Sequence, residues 1–266
     1  MLKILFIGDV VGKIGRKTIK KILPKLKREL KPDIIIANAE NAAHGAGVNI
    51  DSLKELMEAG VDYFTLGDHA FDKEKQFKEI KDANFPIIRP ANFPSGAPGA
   101  GYGIIAAGKY NVLIINLIGR VFMAMDYDCP FRKLDEILAS LANRNYSAII
   151  IDIHAEATSE KIALSHYAKN RVSAVLGTHT HVMTADASIN KDGQAFISDV
   201  GMVGAADECL GIGKEGIIRT FLNQIKETHI IPEKGRAIFN SALITIDPKT
   251  KKAKNIKPIT EYININ

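Results

Sequence analysis

A strand that runs directly into two histidines is the most informative feature of this chain: residues 172–181 read VSAVLGTHTH. Residues i and i+2 of a strand point to the same side, so His179 and His181 leave the strand end toward a common point. Neutral imidazole is a common ligand of transition metals. The stretch therefore predicts one corner of a metal site, which two histidines do not complete alone.

Four earlier apolar runs end in residues of the same chemical kind. The runs span residues 2–7, 33–37, 61–66 and 148–153, and they are followed by Gly8-Asp9, Asn38-Ala39-Glu40-Asn41, Gly67-Asp68-His69 and His154. Continuous apolar runs of this kind suit parallel strands that are buried on both faces. In open α/β sheets, ligands gather outside the carboxyl ends of the strands. We therefore expect one polar cluster at one edge of the sheet.

The composition limits the class of protein. A chain of 266 residues can bury a large core, and no composition break divides it, so we predict one domain over residues 1–266. No apolar run reaches the ~18 to 20 residues of a membrane span, and we predict no membrane partner and no signal peptide. The two cysteines, Cys129 and Cys209, provide no disulfide framework, which fits a reducing cytoplasm. The net charge of +5 is spread along the chain and does not predict a nucleic-acid-binding face.

Strand–helix units follow one another through the first half of the chain, and a more antiparallel part follows. Predicted helices cover residues 13–30, 50–58, 73–81, 132–143 and 159–169. Further strands are predicted at residues 86–88, 112–117, 172–176, 194–198 and 241–246. Residues 84–108 and the glycine-rich residues 200–216 are expected to be functional loops, the second of them over the edge of the site. Two β layers with helices outside fit this α/β mixture.

Local signals set the expected boundaries of several elements. Pro24 predicts a kink or a break in the first helix. The expected N-caps of the second and fifth helices are Asp51 or Ser52 and Thr158 or Ser159. Gly60 is expected to end the second helix. The lysine-rich residues 249–254 are expected to form a solvated turn between C-terminal strands.

The polar residues at the strand ends together form a mixed set of oxygen and nitrogen donors. Its members are Asp9, Glu40, Asn41, Asp68, His154, His179 and His181, with His69 beside them. The set exceeds what one tetrahedral zinc ion needs. Two ions bridged by a carboxylate would use it fully, and such centres activate a bridging water for attack, typically at phosphorus. Iron, manganese and zinc all accept mixed nitrogen and oxygen ligands.

In their order along the chain, these motifs resemble those of the calcineurin-like metallophosphoesterases and, more closely, the bacterial YmdB-type branch. The motifs are GD at 8–9, NAEN at 38–41, GDH at 67–69, HAE at 154–156 and GTHTH at 177–181. The resemblance extends over most of the chain and includes RPAN at 89–92, GRVF at 119–122 and DVGM at 199–202. It implies a four-layer αββα sandwich, a dinuclear metal centre, self-association into a homo-oligomer and phosphodiesterase activity, with 2′,3′-cyclic nucleotides among the substrates.

The resemblance also assigns roles by position. One metal ion would be bound by Asp9, Glu40, Asn41 and His181, and the other by Glu40 as a bridge, Asp68, His154 and His179. His69 would be the general acid that protonates the leaving oxygen, after attack by a metal-bridging hydroxide. The expected ions are iron or manganese, with zinc or magnesium as alternatives.

Asp68 departs from the family pattern, in which asparagine normally stands at this position. The additional negative charge makes the centre less positive and, next to His69, favours the imidazolium by the opposite-charge effect. We therefore expect retained metal binding with an altered rate or pH optimum. The alternative is that Asp68 coordinates as an asparagine would.

Three functions remain open from the sequence. The first is a metal-dependent phosphodiesterase that acts on cyclic nucleotides or short RNA-like diesters. The second is a regulatory binding protein that keeps the metal centre but acts by contacting RNA or a protein partner. The third is a phosphomonoesterase at the same centre, since the shape of the pocket decides between the two kinds of ester.

A few residues outside the donor set are weaker candidates. Arg89, Asn92 and Arg120 are candidates for contact with substrate phosphate. Glu156 is a candidate for orienting a ligand histidine. The remaining histidines are interpreted as structural or surface residues; these are His44, His166 and His229.

Overall fold

The computed structural model describes residues 1–82 and 84–266. Its strands are Leu2–Ile7 (β1), Asp9–Val10 (β2), Ile34–Asn38 (β3), Tyr63–Thr65 (β4), Tyr102–Ala107 (β5), Tyr110–Ile118 (β6), Ala148–His154 (β7), Ala174–Thr178 (β8), Ser188–Ile189 (β9), Ala195–Ile197 (β10), Met202–Ala205 (β11), Gly235–Asp247 (β12) and Lys252–Ile265 (β13). Its α-helices are Gly12–Leu30 (α1), Ile50–Ala59 (α2), Glu74–Asp82 (α3), Pro130–Ser140 (α4), Thr158–Tyr167 (α5) and Lys214–Asn223 (α6). A 3-10 turn covers Asp68–Phe71.

The strands form two separate sheets. The first has the order β2-β11-β12-β1-β3-β4, with β13 paired to β12, and the second has the order β5-β6-β7-β8-β10-β9. Within the first sheet β1, β3 and β4 are parallel, and within the second β6, β7, β8 and β10 are parallel. The long hairpin of β12 and β13 adds the antiparallel part, and residues 248–251 form the predicted turn between its strands.

Alternating residues of the central strands pack into different layers. Ile4 and Phe6 of β1 face the second sheet and pack in one cluster with Ile114 and Ile150. Leu5 of β1 points the other way, into a cluster with the apolar face of α1 and α2. A third cluster joins the outer face of the second sheet to α4 and α5. Because both faces of both sheets are buried, the layer order is αββα. The extent of a single domain over residues 1–266 stays a prediction.

The first helix differs from expectation at Pro24. The residue lies inside α1, which continues without a break to Leu30. Pro24 is on the exposed face of the helix, so the carbonyl that its ring deprives of a partner can bond to water. The predicted break is therefore wrong.

Two predicted helix caps are also wrong. The N-cap of α2 is Asn49, whose side chain accepts a hydrogen bond from the backbone N–H of Ser52, while Ser52 Oγ accepts from the Asn49 N–H. This capping box satisfies two backbone donors at once, which a start at Asp51 would not. The N-cap of α5 is Ala157, which makes no side-chain cap. Gly60 ends α2 as predicted, in a left-handed conformation.

The two predicted loops contain regular structure. Residues 84–108 include β5, an edge strand with alternating exposure, and Ile87 forms an isolated bridge to Phe64. Residues 200–216 include β11, which pairs with β2 and β12. Strands β2 and β9 and helix α6 were not predicted, and β13 was expected only as an unspecified strand after the lysine-rich turn. In α6 no residue is buried, so its apolar positions carry no signal of a core-facing helix.

Candidate metal centre

The candidate metal centre lies where the carboxyl ends of strands from both sheets come together. The first sheet contributes Asp9 in β2, Glu40 and Asn41 after β3, and Asp68 after β4. The second contributes His154 at the end of β7, and His179 and His181 after β8. The expectation of a cluster at the edge of one sheet is therefore wrong in one respect, because two sheets share it.

His154 occupies the middle of the cluster. Its Nε2 lies 3.1 Å from Glu40 Oε1, 2.9 Å from Asp68 Oδ1 and 3.0 Å from His179 Nδ1. One ligand atom from each of these four residues lies within 4.8 Å of the others. His154 and Glu40 are buried, whereas Asp68 and His179 are half-buried. Two imidazole nitrogens and two carboxylate oxygens at this spacing are able to share a metal ion.

The remaining predicted ligands continue the cluster on the other side of Glu40. The Asn41 amide nitrogen lies 3.1 Å from Glu40 Oε1 and 3.3 Å from His181 Nε2. Asp9 Oδ2 accepts a hydrogen bond of 3.1 Å from the His179 N–H. Asp9 Oδ1 is buried and has no hydrogen-bond partner within the described part of the chain. A buried carboxylate oxygen without a partner is costly, and a bound cation would relieve that cost. The donor set therefore fits a metal.

The pKa shifts of the clustered residues also indicate a site for a cation. Although burial opposes it, His154 lowers the pKa of the Glu40 carboxyl. Burial likewise opposes ionisation of Asp68, but hydrogen bonds from His154 and His179 lower its pKa. Burial is also outweighed at His154, where Glu40 and Asp68 raise the pKa well above its usual range. The protein thus collects buried carboxylates that require a positive charge between them, and in the metal-free form the His154 imidazolium supplies it.

Backbone geometry brings these side chains unusually close. A Cβ atom at Gly67 would stand 2.2 Å from His154 Nε2 and 2.3 Å from Glu40 Oε2, so only glycine fits there. His179 and His181 have positive φ angles of 103° and 64°, which non-glycine residues rarely adopt. Strained backbone of this kind concentrates at functional sites.

Residues behind the cluster fix the His154 ring. The Thr178 hydroxyl donates to Asp152 Oδ1 at 2.7 Å, so its oxygen is free to accept from His154 Nδ1–H at 2.9 Å. If the His154 ring is neutral, this network places its proton on Nδ1. The lone pair of Nε2 is then available to bind a metal ion. Glu156 Oε2 lies 3.1 Å from His179 Nε2, as expected for a carboxylate that orients a ligand histidine.

A buried ion pair supports the loop that carries His179 and His181. Lys161 Nζ donates to Asp199 Oδ2 and to the Thr178 carbonyl, each at 2.8 Å, and both charged side chains are 1% exposed. Asp199 Oδ2 also accepts from the Thr180 N–H at 2.9 Å. The pair therefore connects α5 to the backbone on either side of His179.

We expect Lys161→Met to destabilise the protein by about 3 to 5 kcal/mol, because it leaves the Asp199 carboxylate buried without its counter-charge. The free energy of unfolding, measured by urea denaturation, tests this. Lys25→Met is the matched control, since Lys25 forms an exposed pair with Glu261 at 3.7 Å that contributes less than about 1 kcal/mol. Equal losses in the two variants would contradict the structural role of Lys161.

His69 lies beside the cluster but outside its four closest members. Its Nδ1 is 2.7 Å from Asp72 Oδ2, and its Nε2 is 4.0 Å from Asp68 Oδ2. Its backbone N–H donates to Glu40 Oε2 at 3.1 Å. The ring is half-buried and borders an open cavity of about 370 Å³ that also exposes Glu40, Asn41, His179 and His181. It is therefore placed to reach a molecule bound over the cluster.

Two of the weaker candidates, Arg89 and Asn92, have structural roles. The Arg89 guanidinium is largely buried and donates to the carbonyls of Pro90, Ala97 and Pro98. The Asn92 amide is buried and donates to the carbonyls of Ile118 and Asp128. Neither lines the cavity, and neither does Arg120. Arg89 and Asn92 therefore hold the irregular segment together, and contact of Arg89, Asn92 or Arg120 with substrate stays a prediction.

His229 is an exposed residue, as interpreted from the sequence, but its place at the site was not predicted. It lines the same cavity as His69 and Glu156, although it lies far from them along the chain. No motif or strand end precedes it, since residues 224–232 contain no helix or strand. Only the tertiary structure brings it to the cavity.

Comparison with known proteins identifies the family. Residues 5–259 match the model of the YmdB-like protein. The chain belongs to the YmdB-like family. A 2′,3′-cyclic-nucleotide 2′-phosphodiesterase of Bacillus subtilis (strain 168) is 46% identical over 258 residues, which cover 97% of this chain and 96% of that protein.

Two solved structures of proteins with similar sequences share the whole fold of this chain. A hypothetical protein from Thermus thermophilus superposes with a TM-score of 0.91 at 36% identity, covering 98% of this chain and 99% of that one. A novel phosphatase from Mycoplasma pneumoniae gives a TM-score of 0.90 at 33% identity, covering 100% of this chain and 94% of that one. These comparisons confirm the predicted YmdB-like family, the metallophosphoesterase fold and the phosphodiesterase class of enzyme. Across residues 1–82 and 84–266, no helix combines the length and the apolar character that crossing a membrane requires.

Proposed function

We propose that this enzyme is a two-metal phosphodiesterase that hydrolyses small phosphodiesters, with 2′,3′-cyclic nucleotides as the principal substrate class. The observation that carries the proposal is the group formed by Glu40, Asp68, His154 and His179 next to the unpartnered oxygen of Asp9, at the base of an open cavity. The activity named for the relative from Bacillus subtilis supports the choice of substrate.

The donor atoms divide into two groups that share Glu40. We assign Asp9, Glu40, Asn41 and His181 to one ion, and Glu40, Asp68, His154 and His179 to the other. When bound, two divalent ions supply the charge that activates the attacking water and neutralises the phosphate oxygens. The mixture of oxygen and nitrogen donors suits iron or manganese, with zinc or magnesium as alternatives.

His69 is proposed as the general acid. Asp72 accepts a hydrogen bond from Nδ1–H and favours the imidazolium, whose second proton, on Nε2, is available to the departing ribose oxygen. The ring is about two-fifths exposed, so it can regain that proton from solvent after each turnover. Because its side chain is not one of the four closest donors, the role of acid does not compete with metal binding.

The Asp72→Asn variant should shift the pH dependence of turnover. Burial opposes it, but the charges of Glu40 and Asp68 and the hydrogen bond to Asp72 raise the pKa of His69. A general acid works while it is protonated, so activity is retained below this pKa and lost as the pH rises through it. Removing the Asp72 charge lowers the pKa, and the alkaline limb should move to lower pH by roughly half a unit, because an exposed ion pair contributes less than about 1 kcal/mol.

The measurement is the pH profile of kcat for the metal-loaded wild type and Asp72→Asn. Glu136→Gln, which removes an exposed carboxyl on α4 that does not line the cavity, is the control and should leave the limb in place. An alkaline limb that moves to higher pH in Asp72→Asn would contradict the assignment of His69.

The proposed activity is tested by removing and restoring metal. Protein stripped with a chelator is assayed on a 2′,3′-cyclic nucleotide before and after addition of Mn²⁺ or Fe²⁺, and bound metal is counted by elemental analysis. We expect turnover only in the reloaded protein, with two ions per chain at saturation. Turnover that persists in metal-free protein, or saturation at one ion, would overturn the proposal.

The carboxylate of Asp68 favours a second candidate function. In this alternative the protein keeps its metal centre but is regulatory, and it acts by binding RNA or a protein partner. Its carboxylate adds a negative charge where the family normally has asparagine, which weakens the polarisation of water and phosphate. If the regulatory function is correct, wild-type protein with both ions bound will not turn over, whereas Asp68→Asn will gain activity. Equal pH–rate profiles of the two proteins would show instead that Asp68 coordinates as asparagine does.

Two further properties are proposed. Self-association into a homo-oligomer follows from the family resemblance, and a cytoplasmic location follows from the two cysteines, which provide no disulfide framework.

A further inference from the structure

We propose that His229 is a substrate-contacting residue, which donates a hydrogen bond to a phosphate or ribose oxygen of the bound diester. This inference rests on the proposed function. His229 belongs to residues 224–234, a segment between α6 and β12 that we name the strap. It lines the cavity that is also lined by His69 and by four of the proposed metal ligands, Glu40, Asn41, His179 and His181.

The strap is anchored by Ile231. A Cβ atom at Gly12 would stand 2.6 Å from Ile231 Cγ2, and one at Gly45 would stand 2.6 Å from Ile231 Cδ1. Both glycines have positive φ angles, 58° and 87°, so their backbones leave a slot that the Ile231 side chain fills. Gly12 and Gly45 lie close to Asp9 and Asn41 in the chain, so the slot ties the strap to the ligand-bearing loops.

Two further contacts hold the strap on either side of the slot. The Ile230 carbonyl accepts a hydrogen bond of 2.7 Å from the Gly213 N–H, and Glu233 Oε2 lies 2.7 Å from Lys13 Nζ. His229 is therefore followed in the chain by three residues with tertiary contacts, Ile230, Ile231 and Glu233. The strap has these contacts although it contains no helix or strand up to residue 232. These contacts hold the backbone beside His229, which lines the cavity.

Few hydrogen-bond donors other than the proposed metal ligands and His69 line the cavity. Among the described residues that line it there is no arginine or lysine. Apart from the proposed metal ligands and His69, its side-chain donors are Thr180 and His229. A phosphodiester presents oxygen acceptors on the phosphate and on the ribose, and those that do not contact the metals need other donors from the cavity lining. His229 is the imidazole in that lining that is neither a proposed metal ligand nor the proposed acid.

Separate measurement of kcat and KM distinguishes a hydrogen bond from His229 to the substrate from a structural role of His229. We compare metal-loaded wild type, His229→Ala and Lys226→Ala on a 2′,3′-cyclic nucleotide, with metal content measured in each. Lys226 is exposed on the same strap and does not line the cavity, so its variant is the matched control. His229→Ala should raise KM by roughly ten- to a hundred-fold, as expected for loss of a hydrogen bond to a charged group, with kcat changed much less.

Binding of the product extends the test to a protein that does not turn over. The affinity of the metal-loaded proteins for adenosine 3′-monophosphate, measured by calorimetry, should weaken in His229→Ala by a factor similar to that for KM. Failure of the proposed function would appear as absence of turnover in every protein, whereas failure of this inference would appear as equal product affinity in wild type and His229→Ala. A loss of metal from His229→Ala would also overturn it.

The anchor gives an independent variant. Ile231→Ala should reproduce part of the rise in KM, because the strap loses its contact with Gly12 and Gly45, whereas Ile231→Val fills most of the slot and should restore the wild-type value. An Ile231→Ala protein that keeps the wild-type KM and product affinity would show that the strap does not position His229.

Discussion

His69→Ala is expected to lower the turnover of 2′,3′-cyclic nucleotides by about 10²- to 10⁴-fold, the usual contribution of a general acid, while the metal content stays unchanged. The backbone contact explains why the metals should stay. His69 approaches Glu40 through its main-chain N–H, which alanine retains, and its ring nitrogens lie toward Asp72 and Asp68. The substitution therefore removes the proton donor without removing a ligand.

Substrates with different leaving groups distinguish a general-acid role of His69 from other roles. An aryl diester releases a phenolate that needs little help from an acid, whereas a ribose oxygen must be protonated as it departs. His69→Ala should consequently lose much less activity on a nitrophenyl diester than on the cyclic nucleotide. His166→Ala, which removes an exposed histidine on α5, is the control and should act as wild type on both. Equal losses on both substrates would show that His69 is not the acid, and loss of metal would make it a ligand.

The strand ends were predictable because one simple rule controls them. The apolar runs before Asp9, Glu40, Asp68, His154 and His179 are long enough to identify buried parallel strands, and the carboxyl ends of such strands carry the ligands. All seven predicted ligands lie in one connected cluster in the structure. Their assignment to particular ions remains a proposal.

The pairing of the strands was not predictable in the same way. In β1, Ile4 and Leu5 are both fully buried, one toward the second sheet and the other toward α1. A strand that is apolar on both faces does not indicate its neighbours, so the division into two sheets was missed at the site. The extent of strand β13 was not predictable for the opposite reason, since its lysines and half-exposed residues give little apolar signal.

His229 illustrates the limit of motif-based prediction. Its neighbours Ile230, Ile231 and Pro232 give only local strand or turn signals, and its position depends on Ile231 filling a slot between two glycines that lie about 200 residues earlier in the chain. Gly12 and Gly45 could be recognised as turn residues from sequence, but not as the two sides of one slot. Contacts of such long range become visible only when the chain is folded.

The second large effect is expected for His154→Ala, which should lose both metal and turnover. The His154 Nε2 is within 3.1 Å of donor atoms from Glu40, Asp68 and His179, so its loss opens the centre of one ligand group. Changes to residues that only orient a ligand already lower metal affinity or activity about 10- to 100-fold, and removal of a ligand should exceed that. Elemental analysis should show about one ion fewer per chain, with His166→Ala keeping the wild-type content.

In the metal-free protein the same variant tests the charge balance of the site. Without the imidazolium, the buried Glu40 carboxylate and the half-buried Asp68 carboxylate lose the positive charge between them, and we expect a loss of about 3 to 5 kcal/mol in the free energy of unfolding at neutral pH. His154 lowers the pKa of both carboxyls, so removing it raises them, and protonation at acidic pH should relieve the repulsion. The destabilisation measured by urea unfolding should therefore shrink as the pH falls. A loss that is the same at acidic and neutral pH would mean that cavity formation, and not charge, accounts for the effect.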